Sequence, residues 1–167
     1  MHYGKQEIYR LLTEQHIPFR SLEHPAVYTV EEMKRLGIAE EKALCKNLFL
    51  QTANGKHLFL VTIPGTKRAD LKALAAQLGT SRLSFASAER LMACLGVTQG
   101  SVSPFGLLND QECQVTMVFD RELQERKEVK VHPNDNTASV WLSFEDLCGL
   151  IRAHGNPILF AELAPGK

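Results

Sequence analysis

Two apolar runs that flank an Asn–Gly pair restrict the fold of this chain more than any other feature of its sequence. The runs are Ala43–Thr52 and Lys56–Ile63, and Asn54–Gly55 lies between them. Because Asn–Gly readily adopts the positive backbone dihedrals of a tight hairpin turn, the two runs predict neighbouring antiparallel strands. Both runs are largely apolar, so we expect these strands at the centre of a sheet.

Helix and strand signals on either side of the hairpin give a mixed pattern. Apolar spacing, capping residues and glycine stops predict helices over Tyr3–Gln15, Thr29–Gly37, Ala69–Leu78, Ser87–Leu95 and Ser143–Gly155. Extended runs predict further strands over Phe19–Glu23, Gln114–Phe119, Glu128–His132 and Thr137–Leu142. Strands grouped around interposed helices favour a mixed α/β (α+β) domain, in which a central, mixed and largely antiparallel sheet is flanked by helices.

The composition suits one soluble domain. With 167 residues and 44% hydrophobic content, the chain can bury a single core, and no repeat or linker marks a boundary within residues 1–167. Met1–Gln15 is charged and lacks the apolar centre of a signal peptide, and no stretch approaches the roughly 20 apolar residues of a membrane span. We therefore expect a cytoplasmic protein that does not enter a membrane.

Several common site motifs are missing from the sequence. The cysteines Cys45, Cys94, Cys113 and Cys148 are scattered, without a CxxC pair or a neighbouring histidine. This spacing predicts reduced, mostly buried thiols and no zinc site. The sequence also lacks GxSxG, P-loop, GxGxxG and HExxH motifs, which argues against serine hydrolases, nucleotide-binding proteins and zinc proteases.

The charge balance argues against DNA binding. Nineteen basic residues offset nineteen acidic ones, whereas sequence-independent binding to a long polyanion relies on neutralising many phosphates. A local contact with nucleic acid stays open, and so does the interpretation of the same residues as a solvated face. The residues concerned are Lys34, Arg35, Lys42, Arg126, Lys127 and Lys130.

Lys46 interrupts the first apolar run, where an unpaired ammonium would be costly to bury. The structural explanation is that Lys46 begins the strand and extends its ammonium to water. The functional explanation is a substrate-binding or catalytic lysine. Alternation along the strand places Cys45 on the opposite face, so the thiol is not expected to act together with the amine.

The loop Gly100–Pro104 combines a glycine and two hydroxyl residues with a proline that restricts the backbone. Such a loop can direct several amide groups into one cavity, where they would stabilise a carbonyl oxygen that becomes an oxyanion. A surface turn is the structural alternative.

His132 ends a predicted strand, where a neutral imidazole could accept a proton or orient a water. A hydrogen-bonded structural histidine is the alternative. His24 leads with Pro25 into the predicted helix cap at Thr29, and this segment is expected to line the same cleft.

These residues resemble, in order and spacing, the YbaK/prolyl-tRNA editing domain family. The resemblance is carried by Lys46–Asn47, by the GxxxP loop Gly100–Pro104 with the following Phe105–Asp110, and by Val131–Thr137. It extends from His24 to about Ser143 and is closest to the free-standing ProX branch of the family.

The resemblance implies a cofactor-free and metal-free esterase that hydrolyses alanine wrongly attached to the acceptor end of tRNA(Pro), with prolyl-tRNA synthetase as a possible partner. It implies Lys46 and His132 as the catalytic residues. The substrate-binding residues that it implies are Asn47, Gly100, Ser101, Val102, Ser103, Pro104, His24, Thr29 and Asn136. A Cys-tRNA(Pro) deacylase of the same family and a non-catalytic module that binds tRNA or the synthetase are the alternatives.

Overall fold

The computed structural model of the chain describes residues 2–26, 31, 35 and 45–163. The helices are α1 (Lys5–Glu14), α2 (Leu71–Leu78), α3 (Ala88–Leu95) and α4 (Phe144–His154). The strands are β1 (Phe19–Glu23), β2 (Cys45–Thr52), β3 (Leu58–Pro64), β4 (Leu83–Phe85), β5 (Val115–Asp120), β6 (Glu128–Val131), β7 (Ala138–Ser143) and β8 (Ile158–Ala161). Short 3-10 helices cover Gln99–Ser101, Pro104–Asn109 and Arg121–Glu125.

The predicted hairpin is confirmed. β2 and β3 pair antiparallel, from Cys45 opposite Pro64 to Gln51 opposite Leu58. Gly55 in the connection has a φ of 70°, the left-handed conformation that glycine adopts without strain. This hairpin lies within a sheet of five described strands in the order β4-β2-β3-β5-β8, in which β5 pairs parallel with both β3 and β8.

The mixed α/β class is also confirmed, although the strands divide between two sheets. The second sheet has three described strands in the order β1-β7-β6, and both of its pairings are antiparallel. The larger apolar cluster contains Phe49 and Met117 from the first sheet and Val129 and Val140 from the second. The hairpin therefore has one face toward this cluster, while its other face packs on α2 through Leu74.

Helix ends follow the predicted capping residues. The Ser87 side chain accepts a hydrogen bond from the Arg90 amide at the start of α3, and Gly96 ends that helix with a φ of 67°. A Cβ on Gly96 would lie 3.0 Å from Asn109 Nδ2, so a side chain there would meet its neighbours as well as backbone strain. The end of α3 is thereby fixed just before the Gly100 loop.

Two strands were not predicted, and both are short edges of the larger sheet. Of the residues of β4 only Leu83 is buried, and β8 is half-exposed along most of its length. The predicted helix from Thr29 to Gly37 lies outside the described residues, apart from Glu31 and Arg35. In the described part of the chain, no helix is both long and apolar enough to cross a lipid bilayer.

Candidate active site

A cavity of about 230 Å³ lies between β2, the β4 edge and the start of the Gly100 loop. Two of the predicted substrate-binding residues, Asn47 and Val102, line it. The other described residues of its lining are Leu48, Phe49, Phe85, Ala86, Leu91 and Gln99. The lining is therefore mostly apolar, with the carboxamides of Asn47 and Gln99 as its polar groups.

Asn47 is held in one orientation by its neighbour across the hairpin. The Thr62 hydroxyl donates to Asn47 Oδ1 at 2.6 Å, and Thr62 is itself buried. No described residue accepts a hydrogen bond from Asn47 Nδ2. The carboxamide therefore offers an oriented donor at the cavity.

The Gly100–Pro104 loop is buried, so the surface-turn interpretation does not fit. Ser101, Ser103 and Pro104 are buried, whereas Gly100 and Val102 are half-buried. The loop is buried because the segment that follows it packs in the core, where Phe105 and Leu107 belong to the larger apolar cluster.

Some of the polar groups of this loop form hydrogen bonds with the segment that follows it. The Ser103 side chain accepts from the Phe105 amide at 3.2 Å, and the Ser103 carbonyl accepts from the Gly106 amide at 2.9 Å. The amides of Gly100, Val102 and Ser103 donate to no other described residue. Of these three residues only Val102 lines the cavity, and Ser103 is fully buried, so the Val102 amide is the one placed nearest to a substrate oxygen there.

His132 lies just beyond β6 with one ring nitrogen engaged. Its Nδ1 is 3.0 Å from the Ala138 carbonyl, so Nδ1 carries the proton and Nε2 has the free lone pair. Burial lowers the pKa of His132 below its ordinary value, and the nearby His24 and Lys130 lower it further. The hydrogen bond to the Ala138 carbonyl raises the pKa and so offsets part of this decrease. The imidazole is therefore neutral at neutral pH and able to accept a hydrogen bond.

The turn after β6 brings two further predicted residues near His132 and ties them to the loop. His24 Nε2 is 2.9 Å from the hydroxyl of the buried Ser139, which sequence reasoning missed. Asn136 is buried in the same turn. Asn134 Nδ2 donates to the Phe105 carbonyl at 3.3 Å and so fastens the turn to the segment after the GxxxP loop. Thr29 lies outside the described residues.

Lys46 points away from this cavity. It is exposed, and its Nζ donates to the Lys67 carbonyl at 2.9 Å. Lys67 in turn pairs with Asp120, with its Nζ 3.0 Å from each carboxylate oxygen. Lys46 is not among the described residues that line the cavity, and alternation along β2 places its side chain on the face opposite to that of Asn47. Sequence reasoning missed Lys67 and Asp120, whose pairing joins positions 53 residues apart.

One of the basic residues predicted to form a solvated face is buried. Lys130 is only 4% exposed, and its Nζ lies 5.3 Å from the centre of the Trp141 ring. Arg126 is half-buried, 3.9 Å from Glu122, whereas Lys127 and Arg35 are exposed. Lys34 and Lys42 lie outside the described residues. The prediction of an exposed basic face was therefore wrong for Lys130, since the Trp141 ring on the neighbouring strand covers it.

All four cysteines lie in the described part of the chain as thiols outside any disulfide, with Cys94 and Cys148 buried and Cys45 and Cys113 half-buried. Folding places His154 beside Cys113, with Nδ1 3.6 Å from Sγ, although the two are far apart in the sequence. Across the described ranges, no group of three or more His, Cys, Asp or Glu side chains is placed to hold a metal ion.

Comparison with known proteins identifies the family. The model of the aminoacyl-tRNA editing domain matches residues 24–150. The chain is 45% identical over 160 residues to the prolyl-tRNA editing protein ProX of Acetoanaerobium sticklandii, covering 96% of this chain and 98% of that protein. It is 36% identical over 143 residues to the prolyl-tRNA synthetase associated domain-containing protein 1 of Mus musculus, covering 83% of this chain and 84% of the relative.

The fold agrees with these sequence matches. A crystal structure of a candidate trans-editing enzyme for prolyl-tRNA synthetase superposes with a TM-score of 0.73, at 22% sequence identity and over 99% of both chains. At that identity the likeness supports the fold alone. By the sequence matches, the chain belongs to the aminoacyl-tRNA editing domain family and is a hydrolase that acts on aminoacyl-tRNA esters.

Proposed function

We propose that this enzyme edits in trans, as a single cytoplasmic domain, and hydrolyses the ester that links alanine to the 3′ end of wrongly charged tRNA(Pro). The observation that carries the proposal is the small cavity at Asn47 and Val102, where the Val102 amide has no acceptor among the described residues. The similarity to the ProX protein of Acetoanaerobium sticklandii supports tRNA(Pro) as the substrate.

A loop amide supplies the charge stabilisation that ester hydrolysis requires. When water attacks the ester, the carbonyl oxygen gains negative charge, and N–H groups fixed in advance lower the energy of that state. In this proposal the amide of Val102 provides such a donor, since Val102 lines the cavity and its N–H has no acceptor among the described residues. Asn47, on the β2 side of the cavity, holds the substrate through a hydrogen bond that its Nδ2 donates.

His132 orients the sugar or the attacking water. Its Nδ1 proton is committed to the Ala138 carbonyl, so only Nε2 is left to accept a hydrogen bond from a ribose hydroxyl or a water. A lowered pKa keeps this acceptor available at neutral pH, because protonation of Nε2 would remove its lone pair.

Lys46 acts on the phosphate side of the substrate. The α-amino group of an aminoacyl ester is itself cationic, so a second ammonium beside it would be repelled. The side chain of Lys46 lies outside the cavity and is exposed, which suits contact with a phosphate at its entrance. One of the three N–H groups of its ammonium donates to the Lys67 carbonyl, and the other two can donate to phosphate oxygens.

Specificity follows from size. A volume of about 230 Å³ lies below the roughly 300–1,000 Å³ typical of pockets that hold drug-sized ligands, so the cavity suits the small end of the substrate. A pocket fitted to alanine rejects the larger proline sterically, whereas a pocket fitted to proline cannot strongly exclude alanine. Correctly charged Pro-tRNA(Pro) is spared in this proposal because the part of the cavity that receives the amino acid is fitted to alanine.

The direct test is to incubate the protein with Ala-, Cys- and Pro-tRNA(Pro) and to measure which ester is lost. We expect fast loss of alanine and retention of proline. Faster loss of cysteine than of alanine would assign the enzyme to the alternative Cys-tRNA(Pro) activity, because a thiol of similar size also fits the cavity. Loss of no ester would leave a module that binds tRNA, or prolyl-tRNA synthetase, without catalysis.

A further inference from the structure

Two exposed apolar side chains lie beside the candidate active site. The large hydrophobic residues that are exposed in the described part of the chain are Leu22, Phe85, Met92 and Leu159. Phe85, 61% exposed, forms part of the active-site cavity at the β4 edge. Met92, 49% exposed, faces an adjoining groove from α3. Exposed apolar surface concentrated in one place is typical of a binding site.

The groove adjoins the candidate active site. It has a volume of about 830 Å³ and is lined by Ala88, Glu89, Met92, Thr98, Gln99 and Gly100. Gln99 also lines the active-site cavity, and Gly100 begins the GxxxP loop. The groove lies in the range of about 300–1,000 Å³ that accommodates larger ligands, unlike the cavity beside it.

We propose that this groove binds the unpaired nucleotides that precede the terminal adenosine of the substrate tRNA, with a base packed on Met92. The inference rests on the proposed function, because it takes the cavity at Asn47 and Val102 as the place of the ester. The ester is covalently joined to the 3′ end of the tRNA, so the preceding nucleotides must leave the cavity along an adjoining surface. The groove adjoins the cavity, since Gln99 lines both, and it provides such a surface.

The chemistry of the groove favours bases over phosphates. Nucleobases pack on aromatic and apolar side chains without regard to sequence, and Met92 in the groove and Phe85 in the adjoining cavity supply such surface. The charged residue in the lining is Glu89, which repels phosphate. Contact by stacking is also compatible with the balanced charge of the chain, since it releases few counterions.

The test compares two substrates that share the ester and differ in the preceding nucleotides. Ala-tRNA(Pro) carries them, whereas the alanyl ester of adenosine does not. We expect Met92→Ala to lower kcat/KM for Ala-tRNA(Pro) about 5- to 10-fold, mainly by raising KM. For the alanyl ester of adenosine, kcat/KM of the variant should stay within about twofold of the wild-type value. Equal losses on both substrates, or no loss on the tRNA, would overturn the proposal.

Leu159→Ala is the matched control. Leu159 is 42% exposed and lies on β8, at the edge of the same sheet opposite to β4, so its loss should leave both substrates unaffected. Glu89→Lys should act in the opposite direction and lower KM for Ala-tRNA(Pro) alone, a gain that misfolding cannot imitate. An unchanged or higher KM in this variant would count against nucleotides in the groove.

Binding of uncharged tRNA(Pro), followed by fluorescence, separates this inference from the proposed function. If the unchanged enzyme hydrolyses neither substrate, the proposed function fails. The groove is then judged by whether Met92→Ala weakens the Kd for tRNA(Pro) by the same factor while Leu159→Ala does not. An unchanged Kd in Met92→Ala would overturn the groove in that case too.

Discussion

The ion pair between Lys67 and Asp120 is the contact whose loss we expect to destabilise this fold most. The side chain of Asp120 is completely buried and that of Lys67 is 11% exposed, with Nζ 3.0 Å from the carboxylate. Asp120 also accepts hydrogen bonds from the amides of Glu122 and Leu163, so it joins β5 to two further segments. Asp120→Ala would leave an ammonium and two amides without their acceptor.

The expected loss follows from these contacts. Removing one partner of a buried pair costs about 3–5 kcal/mol, because the remaining charge is left in a poorly solvated place. For a domain of this length, each kcal/mol lowers the Tm by roughly 2–4 °C. Asp120→Ala should therefore lower the Tm by roughly 6–20 °C, with the small exposure of Lys67 favouring the lower part of that range.

Urea unfolding followed by circular dichroism measures the change in the free energy of unfolding at constant m-value. Glu128→Ala is the control, because Arg20 and Glu128 are closer, at 2.7 Å, yet their side chains are 57% and 42% exposed. Exposed pairs contribute about 0–1 kcal/mol, so this variant should stay near the unchanged protein. A loss below about 1 kcal/mol in Asp120→Ala would refute the reasoning that burial decides the contribution.

Three further outcomes are expected. Lys46→Ala should abolish deacylation and leave the Tm unchanged, because Lys46 is exposed and makes a single described hydrogen bond; a folded and fully active variant would refute its role. The lowered pKa of His132 means that the unfolded chain binds more protons below about pH 6.5, so stability should fall as the pH drops from that value toward the folded pKa. In urea unfolding at pH 7.5 and 5.5, His132→Gln should show a smaller fall than the unchanged protein. Burial raises the pKa of the Cys45 and Cys148 thiols to about 11, so a thiol reagent at pH 8 should modify both slowly until urea exposes them.

Features of the fold that depend on neighbouring residues were predictable from the sequence. Asn54–Gly55 fixed the hairpin because a turn needs only its own residues and the strands beside it. Ser87 and Gly96 bounded α3 for the same reason, since a cap bonds within one turn of its helix.

Features that depend on distant residues were not predictable in this way. The three-residue β4 exists because β2 offers it a partner, and its own sequence has no strand periodicity. Lys130 was expected to be exposed, in a nucleic-acid contact or on a solvated face, but Trp141 lies opposite it on β7 with its ring centre 5.3 Å from the ammonium. The Gly100 loop has the composition of a surface turn, and its burial is caused by the apolar residues that follow it.

The arrangement along β2 narrows the role of Lys46. Side chains alternate on a strand, so Lys46 and Asn47 cannot enter one cavity from the same face. Asn47 bonds to Thr62 and lines the cavity, while Lys46 bonds to the Lys67 carbonyl on the other side. A group that polarises the ester carbonyl must be within hydrogen-bond reach of it, and in the proposed function the Val102 amide, which lines the cavity, takes that role instead of Lys46. A phosphate is larger, more highly charged and outside the cavity, and a long exposed side chain at the start of β2 can reach it. Binding at the phosphate is therefore the role that the position of Lys46 favours.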